Sequence, residues 1–87
     1  MKLNQEFVLR EVAGEYIVIP LTGLGDRFNG LITLTETGAF IWKQIEQEKE
    51  QDEIVDALLE EYEVSREQAA QNVADLCAQL KKLKILA

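Results

Sequence analysis

The hydrophobic pattern changes its period near residue 35, and this change limits the folds that the chain can adopt. Before that point, residues 7–12 and 16–19 are short runs rich in β-branched and apolar side chains, separated by a turn at Gly14-Glu15. This pattern is typical of a β-hairpin. After a glycine-containing loop at 22–30, residues 31–34 predict a third strand. Helical periodicity follows, and strands segregated from helices indicate an α+β fold.

Three helices are predicted in the second part of the chain. Thr35 is a suitable N-cap for the first of them. The apolar residues within 54–62 recur at the spacing of one helical stripe and predict the second. Ser65 and Gln68 predict a capping box at the start of the third, with the Gln68 side chain reaching back to the cap.

Size and composition fit a single domain. The 87 residues leave room for one hydrophobic core. A three-stranded antiparallel sheet followed by three helices predicts a winged helix-turn-helix-like fold over residues 1–87. The apolar pair Ile85-Leu86 is expected to pack back onto the sheet. The lone Cys77 excludes an internal disulfide and is typical of a reducing compartment, so a cytoplasmic location is expected. No apolar run approaches the roughly 18 residues needed to span a bilayer, so no membrane contact is expected.

The charge balance indicates which class of partner the chain binds. The chain has 16 acidic and 9 basic residues, a net charge of -7. Nucleic-acid-binding proteins need an excess of Lys and Arg to displace counterions from phosphates. We therefore expect a peptide or protein partner and no nucleic acid. The acidic run at 46–53 has no glycine and is interpreted as a solvated connection and helix start rather than a metal site.

The residues needed for catalysis are missing. The chain has no His, which removes Ser-His-Asp and Cys-His arrangements and leaves a zinc site without its usual ligands. Its one serine, Ser65, is accounted for as a helix cap. The pair Gly23 and Gly25 lacks the third glycine of a dinucleotide loop, since Phe28 stands there. The sequence therefore predicts a binding domain that is not an enzyme and holds no cofactor or metal.

The third strand is the most suggestive surface. Residues 31–34, Leu-Ile-Thr-Leu, carry no charge. If this strand lies at a sheet edge, its backbone groups are a template for another strand, which is how peptide-capturing domains bind. Taken alone, however, residues such as Ile32 and Leu34 are more often plain core.

The run at 28–42, FNGLITLTETGAFIW, resembles the central signature of the PqqD family, named for pyrroloquinoline quinone biosynthesis protein D. The resemblance extends from about residue 10 to 86. Four positions depart from the family's frequent residues: Thr35 replaces Asn, Asn72 replaces Asp, Leu76 replaces Phe and Lys84 replaces Gly.

The resemblance implies a non-catalytic peptide chaperone with a winged-helix-like fold. Such domains bind the leader segment of a ribosomally synthesised precursor peptide as an added strand, between the third strand and the third helix. They present the precursor to a modifying enzyme, commonly a radical S-adenosylmethionine enzyme, and the iron–sulfur cofactors belong to that enzyme.

Mapped onto this chain, the resemblance implies a peptide-binding site on the third strand and the third helix. In that site the third strand pairs with the peptide through its backbone, and the third helix supplies the floor and rim of a groove. Helical stepping puts Val73 and Leu80 in the middle of the apolar stripe and Leu76 and Cys77 on opposite borders, which leaves open which border faces the peptide. The predicted site consists of Leu31, Ile32, Thr33, Leu34, Val73, Leu76, Cys77, Leu80, Lys81 and Lys84.

The alternative is a small winged-helix DNA-binding regulator, with the third helix as its recognition helix. Residues 66–84 carry a net charge of only +2. Their lysines cluster at the C-terminal end, whereas recognition helices read bases with their N-terminal residues. The peptide-binding interpretation is therefore favoured.

Overall fold

A computed structural model describes residues 1–21 and 32–86, and it confirms the α+β fold. Three antiparallel strands precede three helices, and the winged-helix description fits this arrangement. None of the described helices has the length and apolar character needed to cross a membrane. The elements are β1 (Phe7–Val12), β2 (Glu15–Pro20), β3 (Ile32–Leu34), α1 (Glu36–Glu46), α2 (Gln51–Glu61) and α3 (Arg66–Lys82).

The hairpin between β1 and β2 turns on Ala13 and Gly14. Both have positive φ angles, 51° and 81°, and Val12 pairs directly with Glu15 across them. A two-residue hairpin turn of this kind requires positive φ at both central positions. The predicted turn at Gly14-Glu15 is thus wrong by one residue, because Glu15 already belongs to β2.

The sheet order is β1-β2-β3, which makes β2 central and β3 an edge strand. β3 pairs antiparallel with β2 over three residues. The expected first residue of this strand, Leu31, lies outside the described residues, as does the predicted loop at 22–30.

The core lies between one face of the sheet and the three helices. Trp42 of α1, Leu58 of α2, Leu80 of α3 and Val18 of β2 are each at most 1% exposed. Since every helix and the central strand contribute a fully buried side chain, one core joins the sheet to the three helices.

The helix caps only partly follow the sequence prediction. Ser65 Oγ accepts a hydrogen bond from the Gln68 backbone N–H at 3.1 Å, as predicted. The Gln68 side chain, however, donates to Asn72 Oδ1 at 2.9 Å, so the predicted reciprocal bond is wrong. Donating to Asn72, one turn further along the same face, turns the Gln68 side chain away from the Ser65 N–H, from which its Oε1 would have to accept. The reciprocal capping box is found at α2, between Glu50 and Glu53.

The end of the chain packs against its beginning. Ile85 and Leu86 are at most 3% exposed, and Leu86 forms an isolated antiparallel bridge with Leu3. The Asn4 N–H donates to the Ile85 carbonyl at 2.7 Å. Both side chains lie in the same core cluster as Phe7 and Val18 of the sheet, as expected, and the backbone partner of the pair is the segment that precedes β1.

Candidate functional site

The hydrogen-bond alternation of the hairpin fixes which backbone groups reach the edge of the sheet. In an antiparallel pair, directly opposed residues alternate between bonded and non-bonded positions. Val12 and Glu15 flank a two-residue turn and are therefore a bonded pair. At the other end, the Leu21 N–H donates to the Glu6 carbonyl at 2.7 Å, which gives the same phase.

The alternation of bonded and non-bonded positions can be followed along β2 from either end, and both directions give the same assignment. The backbone groups of Ile17 face β1, and those of Tyr16 and Val18 face β3. In the register with β3, Tyr16 opposes Leu34 and Val18 opposes Ile32. These two positions are therefore the bonded ones between β2 and β3.

Thr33 is left with its backbone directed away from the sheet. It opposes Ile17, at a non-bonded position, so its N–H and its C=O both point past the edge of β3. No described strand lies beyond β3. Thr33 thus offers one donor and one acceptor to a further strand.

Side chains on β3 alternate between the two faces of the sheet. Leu34 is 8% exposed and belongs to the core, and Ile32 is half-buried against it. Thr33 is exposed on the opposite face. β3 can therefore contribute to the core and pair with a further strand at the same time. Its side chains do the first, and the backbone of Thr33 does the second.

An open groove of about 410 Å³ runs between β3, the start of α1 and α3. Gly38 lets the start of α1 pack closely against Leu34 and Thr35, because a Cβ at that position would meet Thr35 Oγ1 at 3.3 Å and the Leu34 Cβ at 3.4 Å. The described residues that line the groove are Thr33, Leu34, Thr35, Thr37, Gly38, Ile41, Asn72, Asp75, Leu76 and Gln79.

Of the two borders of α3 that the sequence left open, the one carrying Leu76 lies on the groove. Leu76 is 8% exposed and lines it. Cys77 is buried on the other side, with its Sγ 3.8 Å from the Met1 Sδ. Burial raises the pKa of the Cys77 thiol, and the nearby Lys81 and N-terminal amine lower it less.

The other predicted helix residues lie away from the groove. Val73 and Leu80 are fully buried in the core. Lys81 is exposed beside Met1, on the same side as Cys77. Lys84 follows α3 with a positive φ of 62° and is also exposed. The structure therefore brings together Thr33, Leu34 and Leu76. It does not place Val73, Leu80, Lys81 and Lys84 at the groove.

Sequence reasoning missed the polar wall of the groove. Asn72, Asp75 and Gln79 share one face of α3 with Leu76, at spacings of three, four and seven residues. The signal was present in this spacing. The predicted site, however, took only apolar and basic residues from this part of the chain.

Two amide side chains hold this wall in place. Gln68 Nε2 donates to Asn72 Oδ1 at 2.9 Å, and Gln71 Nε2 donates to Asp75 Oδ1 at 2.7 Å. Both bonds join residues one turn apart. Asn72 and Asp75 are thereby oriented before any partner arrives.

The described residues do not bring together three Asp, Glu or Cys side chains in a way that could hold a metal ion. The chemistry that the groove itself offers is backbone pairing at Thr33, an apolar floor at Leu34, Ile41 and Leu76, and a polar wall on α3. This combination suits an extended peptide.

Comparisons with known proteins agree with this geometry. The profile of the family described as coenzyme PQQ synthesis protein D (PqqD) matches residues 7–86. A comparison with curated protein sequences returns no match.

Two solved structures have a similar fold. TbiB1, in complex with the TbiA(beta) leader peptide, is 27% identical with a TM-score of 0.78, and the match covers 99% of this chain and 94% of that one. Lasso peptide synthetase B1, complexed with the leader peptide, is 21% identical with a TM-score of 0.75, covering 94% and 91%.

Proposed function

The chain belongs to the PqqD family, and on that premise we propose that it binds the leader segment of a ribosomally synthesised precursor peptide. The leader adds to β3 as a fourth strand and lies between β3 and α3. The protein then presents the precursor to a peptide-modifying enzyme, of the radical S-adenosylmethionine class or another.

The observation that carries this proposal is the outward backbone of Thr33 beside the groove. A strand that pairs with Thr33 gains two main-chain hydrogen bonds and places alternate side chains against α3. Backbone pairing supplies affinity regardless of sequence. The groove supplies selectivity.

The chain's contribution is positional. Holding the leader brings the remainder of the precursor to the enzyme at a high effective concentration, without any chemistry by the tether. In this proposal the modifying enzyme supplies the reacting groups and any cofactor. The chain itself needs neither.

The charges on α3 favour a peptide over DNA. Arg66, at the N-terminal end where a recognition helix would read bases, forms an ion pair with Asp56 at 2.9 Å. Among the described residues that line the groove, the charged one is Asp75, and none is a Lys or Arg. Phosphates would meet a carboxylate there, which opposes binding.

Binding is tested with labelled synthetic peptides that cover the N-terminal halves of short open reading frames beside the gene, using fluorescence anisotropy. We expect one of them to bind in the micromolar range or tighter, and its scrambled version to bind at least about tenfold more weakly, a difference of 1.4 kcal/mol. Equal binding of the matched and scrambled peptides, or binding of none, contradicts the proposal.

A further inference from the structure

Asp75 is the one charged side chain among the described residues that line the groove. It is exposed, and no described Lys or Arg forms an ion pair with it. The protein as a whole carries a net charge of -7, so no general excess of cations neutralises this position. As far as the described residues show, the groove therefore presents an uncompensated negative charge to whatever lies in it.

A hydrogen bond within α3 orients the Asp75 carboxylate for contact with a cation. The bond from Gln71 Nε2 occupies Asp75 Oδ1 at 2.7 Å. The second carboxylate oxygen has no partner among the described residues. Because the bond from Gln71 limits the rotamers of the carboxylate, less side-chain entropy is lost when a cation binds.

The register of β3 determines which residues of an added strand approach Asp75. The strand residue directly opposite Thr33 shares the face of the Thr33 side chain, which is the exposed face of the sheet. The residues immediately before and after it project to the other face. Those two side chains enter the groove, and they are two residues apart in the peptide.

The groove offers different surroundings to these two side chains. Leu34, Ile41 and Leu76 form an apolar floor, whereas Asp75 and Gln79 belong to the polar wall. An apolar side chain is favoured over the floor by burial, and a Lys or Arg is favoured beside the carboxylate by charge.

We propose, on the premise that this groove binds a leader strand, that Asp75 is a specificity-determining residue. It selects leaders in which a Lys or Arg stands two residues from an apolar side chain. The residue between them pairs with Thr33 and faces solvent.

The test is a display selection from a library of random 12-residue peptides on the full-length protein. The immobilised proteins are the wild type, Asp75→Asn, Asp75→Lys and the control Asp52→Asn, which removes an exposed carboxylate on α2. Peptides bound at the edge of β3 are recognised by their loss of binding to Thr33→Pro. Trp42 fluorescence during urea unfolding verifies that each variant is folded.

We expect edge-binding peptides from the wild type and from Asp52→Asn to contain a Lys or Arg two residues from an apolar residue. This enrichment disappears with Asp75→Asn and becomes an Asp or Glu enrichment with Asp75→Lys. A wild-type-selected peptide binds Asp75→Asn about three- to fivefold more weakly at low salt, as an exposed ion pair would require. The difference shrinks at 1 M salt.

Two other outcomes distinguish a failure of the role of Asp75 from a failure of leader binding itself. Edge-binding peptides with no basic enrichment, or with the same enrichment on Asp75→Asn, overturn the role of Asp75 and leave leader binding in place. A selection that yields no peptide sensitive to Thr33→Pro overturns both.

Discussion

Thr33 opposes Ile17 at a position where β2 and β3 exchange no hydrogen bond. This relationship has its origin in the two-residue turn at Ala13 and Gly14, which sets the phase of every bond in the sheet. As a result, Thr33 contributes nothing to the ladder with β2 and offers its backbone to the open edge. Strand addition at β3 requires this phase.

Replacing Thr33 with proline should abolish leader binding without unfolding the sheet. Proline removes the outward N–H and places a ring where the added strand would lie, whereas the bonds between β2 and β3 use Ile32 and Leu34. We expect affinity to fall at least about tenfold, or 1.4 kcal/mol, measured by fluorescence anisotropy. Thr33→Val keeps the N–H and a similar shape, so it should bind normally. Normal binding by Thr33→Pro would contradict the assigned phase.

The two borders of α3 should differ in their effect on binding. Leu76 lines the groove, whereas Cys77 packs near Met1 on the other side. Leu76→Ala should weaken leader binding about tenfold and reduce the free energy of unfolding by about 2–3 kcal/mol. Cys77→Ala should also reduce that free energy but leave the affinity unchanged. Affinities are compared at a temperature where Trp42 fluorescence shows both variants folded. If Cys77→Ala weakened binding and Leu76→Ala did not, the peptide would contact the Cys77 border of α3, which contradicts the assigned groove.

Several elements of the fold could be predicted from sequence because local signals agreed with one another. The hairpin, the capping residues Thr35 and Ser65, and the switch from strand to helix all follow from short-range rules. The choice between Leu76 and Cys77 could not be made in this way. Both border the same stripe, and only the packing of α3 against β3 and the N-terminal segment distinguishes them. The phase of β3 was also inaccessible, since it requires the register.

Lys84 ends α3 in a backbone conformation that favours glycine. With φ of 62°, Lys84 follows the C-cap of α3, its N–H donates to the Lys81 carbonyl at 3.0 Å, and the Ile85 N–H donates to Leu80 at 2.8 Å. This is a Schellman motif, which favours glycine at that position.

Lys84→Gly should therefore stabilise the protein. It relieves a left-handed conformation that costs roughly 1–2 kcal/mol, against an entropic cost of about 0.5–1 kcal/mol, so the free energy of unfolding should rise by up to about 1.5 kcal/mol. Urea unfolding followed by Trp42 fluorescence measures it. The control Ala78→Gly, at an exposed helical position, should lower it by about 1 kcal/mol. A loss of stability in Lys84→Gly would show that the lysine side chain contributes more than the strain.

Stability should fall at alkaline pH, with Cys77 responsible for the first part of the decrease. Burial raises the pKa of its thiol in the folded protein, so the unfolded chain releases this proton first as the pH rises. The stabilising contribution is complete below the ordinary thiol pKa of about 8.5 and is lost as the pH rises through the raised value. Burial and the nearby Glu36 and Glu61 also raise the pKa of Tyr62, which adds a later decrease above about pH 10.

Urea unfolding from pH 7 to 10.5 separates these two contributions. Cys77→Ala should lack the decrease that begins near pH 8.5 and retain the one attributed to Tyr62. An identical pH dependence in the wild type and in Cys77→Ala would exclude the thiol as its cause.

The most direct test of leader binding at β3 is hydrogen exchange of single backbone amides, followed by NMR with and without a bound leader peptide. In the free protein, the amides of Ile32 and Leu34 should be protected by their bonds to β2, and the Thr33 amide should exchange rapidly. Saturation with the leader should slow exchange at Thr33 at least about tenfold, corresponding to 1.4 kcal/mol, with little change at Ala74 on the far side of the groove wall. A Thr33 amide that still exchanges rapidly in the saturated complex would contradict strand addition at this edge.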